Sequence, residues 1–266
     1  MKVNFIPRGR LGNAIYRFLA CSIFCILYNY EYTINQNQTA DLSDAIFYNN
    51  MNNINKIDKE IVSKSYNMVG YYIHDNIYKI YKKEILNFIN NNQEHYVLTD
   101  GINAGDRRYQ KFKMLEIANT PKDFTKKYKN VLHIRLEDKM IIGISIDVKY
   151  IILLLDKIKD NLKDEGICIV YKCITTQKEK EYIDTIKDFL NNNDIIYHIE
   201  NNDVLTDYYV MKEAEVLICS VSTLSWAAAY FSEKIHKCYM PDYQIRGNGM
   251  TCKYPINNTI LYDIKD

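Results

Sequence analysis

The sequence predicts an α/β protein, and two observations support this class. In the second half of the chain, five short apolar runs alternate with four stretches whose apolar residues recur at helical spacing. Runs of this kind between helices are typical of a parallel sheet that helices cover on both faces. The chain also opens with a strand, a turn that contains two glycines, a helix and a second strand, which is how such a unit begins.

The first half is less regular. Pro7 and the two glycines that follow cannot continue the first strand, and Pro121 is expected in the first turn of a short helix. Residues 35–65 are rich in Asn and weakly periodic, so no element is predicted there, and a polar loop occupies 100–108. The predicted elements are strand 2–6, helix 13–29, strand 32–34, strand 69–73, helix 75–91, strand 95–99 and a helical region that ends near 127.

The second half alternates strictly. Its predicted elements are strand 131–136, helix 148–163, strand 167–171, helix 177–192, strand 195–199, helix 207–214, strand 216–219, helix 223–232 and strand 235–240. Ligands of such sheets bind beyond the carboxyl ends of the strands, so the residues that follow each strand are the first candidates for function.

Length and pattern together indicate two domains. A chain of 266 residues can hold one large domain or two of about 130 residues each. We place the boundary just before the strand at 131, which gives a first domain of residues 1–128 and a second of residues 129–266. The last roughly 20 residues could pack back on the first domain.

Composition excludes several classes of protein. The 34 basic and 33 acidic side chains nearly cancel, so no basic field exists for nucleic acid or an anionic membrane. Seven scattered cysteines without a C-x-x-C pair argue against a disulfide framework and a structural zinc site, and they fit the reduced cytoplasm. Abundant Tyr, Asn, Ile and Lys suggest an AT-rich microbe or large virus; for a virus, the compartment would be the host cytoplasm.

One apolar segment, residues 18–30, follows three arginines and resembles a signal sequence or an anchor. The run of about 13 apolar residues is too short to span a bilayer. A strand precedes it, and no small-residue cleavage site is evident. We therefore predict a buried first helix and no transmembrane segment.

Two polar residues lie at the carboxyl end of the strand at 131–136. Successive side chains of a strand point to opposite faces, so the apolar residues at 132, 134 and 136 share one face, and His133 and Arg135 share the other. A guanidinium is rarely buried without a partner, so this pair indicates an opening that holds an anion. The alternative is a solvated edge strand in which Arg135 pairs with Glu137 or Asp138.

The segment 220–223 follows another predicted strand and opens a helix. Ser and Thr are favoured N-caps, and a helix N-terminus also offers N–H groups and a partial positive charge to a phosphate. Both roles are compatible. With Arg135 opposite, a diphosphate would meet a bidentate guanidinium on one side and N–H donors on the other. Asp207 begins a shorter helix, where it either caps the helix or accepts hydrogen bonds from the amino group of a base.

The turn at 8–13 lies at the mouth of the first domain. Its glycines let the chain bend and let a ligand approach the backbone, and Arg10 stands between them. The pattern is neither G-x-G-x-x-G nor a P-loop, so by itself it does not define a nucleotide site.

Together, three segments resemble the fucosyltransferase superfamily, which includes the bacterial α-1,2 enzymes, the α-1,6 enzymes and the protein O-fucosyltransferases. Residues 9–13 are similar to the family's Gly-(Arg/Gly)-(Leu/Phe)-Gly-Asn opening, and residues 133–138 to its His-x-Arg-Arg-x-Asp motif. Residues 220–226 look like its Ser-Asn-Ser-(Thr/Ser)-Phe-Ser-Trp-Trp segment. The matches occur in the family's order and span most of the chain.

The resemblance implies a GT-B glycosyltransferase, with two Rossmann-like domains that face each other across a cleft. Such enzymes are inverting, need no metal or other cofactor, and usually transfer fucose from GDP-fucose to a hydroxyl of a glycan acceptor. The sequence contains no Asp-x-Asp, which agrees with a site that uses no divalent metal.

The resemblance also assigns donor-binding roles by motif position. Arg135 would hold the β-phosphate of the donor and His133 would lie near the guanine. Asp207 matches the acidic residue that receives the base in the α-1,6 enzymes. Ser222 and Thr223 fall where the family has phosphate-binding hydroxyls.

Catalytic roles follow from the same resemblance and from the chemistry. Arg10 and Asn13 match O-fucosyltransferase positions near the phosphate and the reacting sugar. Arg10 and Arg135 would stabilise the charge of the leaving diphosphate. Asp138 is the first candidate for the base, although it could equally pair with Arg135 and fix it. The two aspartates of the 100–108 loop are weaker candidates.

Departures from the family pattern leave the donor sugar and the base open. Leu136 replaces the second Arg of the motif, Val221 an Asn and Ala227 a Trp. Gly143 stands at the spacing of the Glu that is the base of the α-1,6 enzymes. The alternatives are transfer of another activated deoxyhexose or pentose, or a catalytically weak module that binds a nucleotide sugar or a glycan.

Overall fold

The computed structural model divides the chain into two compact units, with the break between Asn119 and Thr120. The predicted boundary, between 128 and 129, lies in the segment that leads from this break to the first strand of the second unit. The residues that the structure describes are 1–7, 9–34, 36, 40–43, 47, 64–70, 72, 75–99, 110–136, 140, 145–242 and 253–264.

The first unit is built on a parallel sheet. Its described elements are β1 (Lys2–Phe5), α1 (Leu11–Tyr28), β2 (Glu31–Ile34), β3 (Ala40–Leu42), β4 (Tyr66–Met68), α2 (Asp75–Ile80), α3 (Lys82–Asn91), β5 (Tyr96–Thr99), β6 (Gln110–Lys113) and α4 (Met114–Ala118). The four parallel strands have the order β2-β1-β4-β3, and β5 and β6 form a separate antiparallel pair.

Helix α1 is the core helix of the first unit. Gly9 has a φ of 83°, which turns the chain between β1 and the helix, and Asn29 ends the helix in the left-handed conformation. Of the described helices, α1 alone is long and apolar enough to cross a membrane, and 78% of its apolar window is buried inside the protein. The prediction of a buried first helix is confirmed.

Three predictions in the first unit are wrong in detail. The strand that the sequence places at 69–73 lies earlier, at Tyr66–Met68 (β4). The prediction missed it because Asn67 interrupts the apolar pattern of β4, where it hydrogen-bonds to the neighbouring strands. The helix expected at 75–91 is two helices, which separate at Tyr81, where ψ is 19°. The region expected to be helical contains β6 and α4, and Pro121 lies in a turn. The backbone N–H and C=O groups of β6 hydrogen-bond with those of β5, and the apolar pattern of β6 alone does not predict this pairing.

The second unit carries a larger parallel sheet. Its described elements are β7 (Asn130–Ile134), α5 (Val148–Glu165), β8 (Ile167–Tyr171), α6 (Gln177–Asn192), β9 (Tyr197–Glu200), α7 (Val204–Lys212), β10 (Val216–Ile218), α8 (Thr223–Phe231), β11 (Lys237–Pro241) and β12 (Thr259–Tyr262). The order is β12-β11-β10-β7-β8-β9, and every neighbouring pair is parallel. The five strands and four helices predicted here are confirmed, with ends that differ by a few residues.

The last strand, β12, was not predicted. It extends the sheet beside β11, and the hydroxyl of Tyr262 donates a hydrogen bond of 2.5 Å to the carbonyl of Cys219. The described residues 253–264 thus belong to the second unit.

The two faces of the second sheet carry different helices. The apolar face of β7, with Leu132 and Ile134, joins the buried core that α5 and α6 form. The helix between β9 and β10, α7, contributes no residue to that core and packs against β7, β8 and α8, which indicates that it covers the opposite face. The chain is therefore an α/β protein of two consecutive Rossmann-like units with parallel sheets, the components of the predicted class.

Candidate active site

The order of the second sheet defines where a ligand would bind. Numbered along the chain, the strands from β9 to β12 have the order 3-2-1-4-5-6, which is the Rossmann order. From β7 the chain first moves outward through β8 and β9, then returns to the other side of β7 with β10. In sheets of this order, ligands bind beyond the carboxyl ends of the strands at the switch point, which here lies between β7 and β10.

The two polar segments singled out in the sequence meet at this switch point. β7 and β10 are neighbours, with Leu132 opposite Ile218, so the residues after each strand lie side by side. Nδ1 of His133 and Oγ of Ser220 are 3.1 Å apart, within hydrogen-bond distance, and both side chains are buried. The sequence could not place these two segments in the sheet, and the strand order does so.

His133 is a neutral imidazole in this environment. Burial, with the neighbouring Arg135 guanidinium as the second cause, lowers the pKa of His133 from 6.5 to about 3. A neutral ring has one nitrogen that donates and one that accepts. Nδ1 faces Ser220, and no described residue hydrogen-bonds to Nε2, so Nε2 is the atom that can address a ligand.

Arg135 is the first residue after β7 and is half-buried. By strand alternation it shares the face of His133, on the side that α7 and α8 cover, and its charge is close enough to depress the pKa of His133. The interpretation of β7 as a solvated edge strand is wrong, because β7 lies in the middle of the sheet and all five of its residues are buried.

The N-terminus of α8 follows the carboxyl end of β10. Ser222 is its N-cap, and its hydroxyl accepts a hydrogen bond of 3.2 Å from the amide of Leu224. The capping role predicted for this segment is confirmed. Thr223 is the first helical residue. The first turn of a helix presents N–H groups and the positive end of the helix dipole. This turn follows β10, the neighbour of β7, and Arg135 is the first residue after β7.

Asp207 lies in the first turn of α7, and the sequence left open whether it caps this helix or accepts hydrogen bonds from a base. The cap of this helix is Asp203, whose carboxylate accepts hydrogen bonds from the amides of Leu205 and Thr206. Asp207 is therefore not the cap. It is buried, and its Oδ1 accepts two hydrogen bonds from Asn202, one from the amide N–H at 3.1 Å and one from Nδ2 at 3.0 Å.

In the first unit, Arg10 and Asn13 lie at the start of α1. Arg10 occupies the N-cap position in an extended conformation, without a capping hydrogen bond from its side chain. A Cβ atom on Gly9 would come within 3.0 Å of Nδ2 of Asn13, so the turn and the Asn side chain fit together only with glycine there. Both residues are thus placed beyond the carboxyl end of β1.

Several predicted residues lie outside the described part of the chain. These are Asp138, the first candidate for the base, and the aspartates at 100 and 106, together with Gly143. Leu136 is described, and its side chain is buried in the core with α5 and α6. The residue that replaces the second Arg of the family motif therefore contributes to packing.

Four side chains near Asp207 were not singled out in the sequence, namely Lys126, Tyr128, Glu200 and Asn202. Glu200 ends β9, and its carboxylate accepts hydrogen bonds of 2.7 Å from each of the other three. The sequence feature that could have identified Glu200 and Asn202 is the run of polar residues directly after a strand, at the edge of the sheet where ligands bind. Lys126 and Tyr128, from the segment before β7, left no local signal.

No metal centre is visible in the parts of the chain that the structure describes, since no three His, Cys, Asp or Glu side chains cluster there suitably. Metal independence itself stays a prediction.

Comparisons with known proteins add one finding. A scan against protein-family models found no matching family, and a search of curated proteins found no match. Among solved structures, the chain is similar to E. coli heptosyltransferase WaaC with ADP-2-deoxy-2-fluoro heptose, with a TM-score of 0.42 and 9% sequence identity. The match covers 98% of this chain and 92% of that chain. At this identity and TM-score, activity and substrate must be argued from the residues of the protein itself.

Proposed function

We propose that the protein is an inverting, metal-independent glycosyltransferase that moves a sugar from a nucleotide donor to a hydroxyl of a glycan. One observation carries the proposal. β10 lies beside β7, and Nδ1 of His133 is 3.1 Å from Oγ of Ser220, which shortly precedes the N-cap of α8, at the switch point of a Rossmann-ordered sheet. Two of the three segments that resemble the fucosyltransferase superfamily are thereby neighbours, which supports the proposal.

The chemistry requires a group that stabilises the leaving diphosphate. As the bond between the anomeric carbon and the diphosphate oxygen breaks, the carbon becomes cationic and negative charge builds on the diphosphate. Arg135 can donate two parallel hydrogen bonds to phosphate oxygens, and α8 offers N–H donors and a positive dipole end. Preorganised groups of this kind are usually the largest contribution to such catalysis. The acceptor hydroxyl attacks from the opposite face, which inverts the anomeric centre.

The remaining catalytic roles follow the family resemblance. We assign Arg10 and Asn13 to the diphosphate and the reacting sugar, and Asp138 to removal of the proton from the acceptor hydroxyl. No cofactor is needed for this scheme. The reaction would take place in the cytoplasm, which is the compartment that the cysteine usage favours.

Fucose from GDP-fucose is the donor that we propose. The family resemblance supports it, and so does the chemistry of Asp207. Guanine carries two adjacent donors, N1–H and the exocyclic N2–H, on the edge that pairs with other bases. A carboxylate is an acceptor when ionised, so a buried Asp at the base subsite suits guanine. The neutral imidazole of His133 can adjoin the base without adding a charge.

The test combines nucleotide binding with sugar transfer. We expect GDP to raise the unfolding temperature more than ADP or UDP does, and labelled GDP-fucose to yield a labelled glycan in the presence of EDTA. Arg135→Ala should lower kcat/KM by about 100-fold or more, and Arg135→Lys should lose less, because it keeps the charge without the bidentate geometry.

Two outcomes would contradict the proposal. If Arg135→Ala folds normally and keeps full nucleotide affinity and turnover, Arg135 does not hold the diphosphate. If no nucleotide stabilises the protein, the chain is an unrelated enzyme with Rossmann-like units.

The second candidate function is a module that binds a nucleotide sugar or a glycan with little catalysis. The observation that favours it is Leu136, which lies in the core at a position where the family has an Arg. Stabilisation by GDP without transfer from a panel of GDP, UDP and ADP sugars to a wide range of glycans would support this alternative.

A further inference from the structure

Three carboxylates lie close together where β9 ends and α7 begins, and their hydrogen bonds differ. Both oxygens of Asp203 are engaged in the cap of α7, including a bond of 2.5 Å from the hydroxyl of Thr206. Both oxygens of Glu200 are engaged as well, Oε1 with Tyr128 and Oε2 with Lys126 and Asn202. Asp207 uses Oδ1 alone, and no described residue donates a hydrogen bond to its Oδ2.

Asn202 connects these groups. Its Nδ2 donates one hydrogen bond of 2.7 Å to Glu200 and one of 3.0 Å to Asp207, which uses both amide hydrogens. Its Oδ1 accepts a bond of 2.9 Å from Nζ of Lys126. With donors and acceptor all engaged, neither rotation nor an exchange of the amide oxygen and nitrogen is tolerated, so the orientation of Asn202 is fixed.

The surroundings keep Glu200 and Asp207 in different electrostatic states. Burial opposes ionisation of Glu200, but hydrogen bonds from Asn202, Lys126 and Tyr128 outweigh it and lower the pKa of Glu200. For Asp207, burial prevails over the two bonds from Asn202, and the pKa of Asp207 is raised. Asn202 is thus the neighbour that most opposes the effect of burial on Asp207.

We infer that Asn202 is a positioning residue that holds Asp207 with its Oδ2 presented to the nucleobase, and that this arrangement selects guanine. The inference rests on the proposed function and deepens it. Because Oδ1 already accepts two hydrogen bonds from Asn202, Asp207 cannot turn without losing both. Oδ2 then offers two lone pairs to a base with adjacent N–H donors, as guanine has. Uracil presents one N–H between two carbonyl oxygens, which the carboxylate would repel.

The test measures dissociation constants of GDP and UDP for the full chain by titration calorimetry. Asn202→Ala should weaken GDP binding about tenfold and leave UDP binding within about twofold, because the loss concerns the base and not the diphosphate. Asn201→Ala is the matched control. Asn201 is the same residue type one position earlier, it is exposed and it contacts Sγ of Cys173, so its loss should leave both affinities unchanged.

A second variant separates positioning from general loss of structure. Asp207→Asn should remove the preference for GDP. In that background Asn202→Ala should not change the ratio of the two affinities further, because a residue that acts through Asp207 has nothing left to position. A purely structural role of Asn202 would lower both affinities together in either background.

The outcomes are distinguishable. Equal weakening of GDP and UDP by Asn202→Ala, no weakening at all, or a wild-type protein that prefers UDP would overturn the inference and leave the glycosyltransferase proposal intact. A wild-type protein that binds no nucleotide would overturn both.

Discussion

His133 is the residue whose environment most changes its ordinary chemistry. It lies within a central strand, next to a guanidinium, and its Nδ1 is 3.1 Å from the hydroxyl of Ser220. A second positive charge at this point would be costly, because burial removes the solvent that would screen it from Arg135. The site therefore has the guanidinium of Arg135, which is always charged in proteins, beside a ring that stays neutral, so the charge that we propose to bind the diphosphate does not depend on pH in the physiological range.

The pKa of His133 predicts how stability depends on pH. The unfolded chain takes up a proton near pH 6.5, whereas folded His133 does so only near pH 3, so the free energy of unfolding falls as the pH falls from 6.5 towards 3. Asn has no titrating group in this range. We therefore expect the urea midpoint of His133→Asn to fall less than that of the wild type between pH 7.5 and pH 5.

His95 also contributes to the pH dependence of stability in that experiment. Its pKa is also lowered by burial, so it contributes in the same direction in both proteins, and the difference between them isolates His133. Parallel pH profiles for the two proteins would show that His133 is not buried as a neutral group.

At the scale of elements, the first sheet has a row of hydrogen-bonded polar side chains across its strands. Nδ2 of Asn4 in β1 donates to Oδ1 of Asn67 in β4 at 3.0 Å, and Nδ2 of Asn67 donates to Asp41 in β3, also at 3.0 Å. Oδ1 of Asn4 accepts a bond of 2.9 Å from the amide of Gln36, which follows β2. The three side chains are aligned by the strand register itself.

This row predicts a specific pattern of stability. Asn4→Val should lower the free energy of unfolding by at least about 2 kcal/mol, because it removes the hydrogen bond that Asn4 donates to the buried side chain of Asn67 and the one that it accepts from the amide of Gln36. Adding Asn67→Val should cost less than the sum of the single changes, since both partners of one bond are then removed. Urea unfolding measures both effects. A fully additive result would show that the two Asn side chains do not interact.

At the scale of the whole molecule, most of the groups proposed to hold the nucleotide belong to one unit. His133, Arg135, Asp207 and the start of α8 are all in the second unit, whereas Arg10 and Asn13 belong to the first. The nucleotide should therefore be held chiefly by the second sheet.

Hydrogen exchange tests this division. GDP alone should slow amide exchange most strongly at Thr223 to Ser225, where the first turn of α8 would meet the diphosphate, and little in β1 or β4. Protection by GDP that is confined to the first unit would contradict the assignment of the nucleotide site.

The sequence by itself determined the local structure of the second unit and the kinds of residue at its edge. Strictly alternating apolar runs and amphipathic stretches leave few alternatives to a covered parallel sheet, so strands such as Ile167–Tyr171 and helices such as Gln177–Asn192 were predicted with their observed ends. The polar residues after two of these strands were also evident, since a His, an Arg and a group of hydroxyls interrupt apolar runs. In the first unit, Asn67 within β4 disrupted the pattern, and the prediction failed there.

Only the tertiary structure decided which of these residues meet. Strand order is set by long-range pairing, which no local period encodes, and it is the return of the chain from β9 to β10 that brings Ser220 to His133 across 87 positions of sequence. The structure likewise decided that Asp203, and not Asp207, caps α7. It also decided that Lys126 and Tyr128, from a segment without regular structure, hydrogen-bond to Glu200. Periodicity reports which face of an element is buried, whereas a site depends on which edges become neighbours.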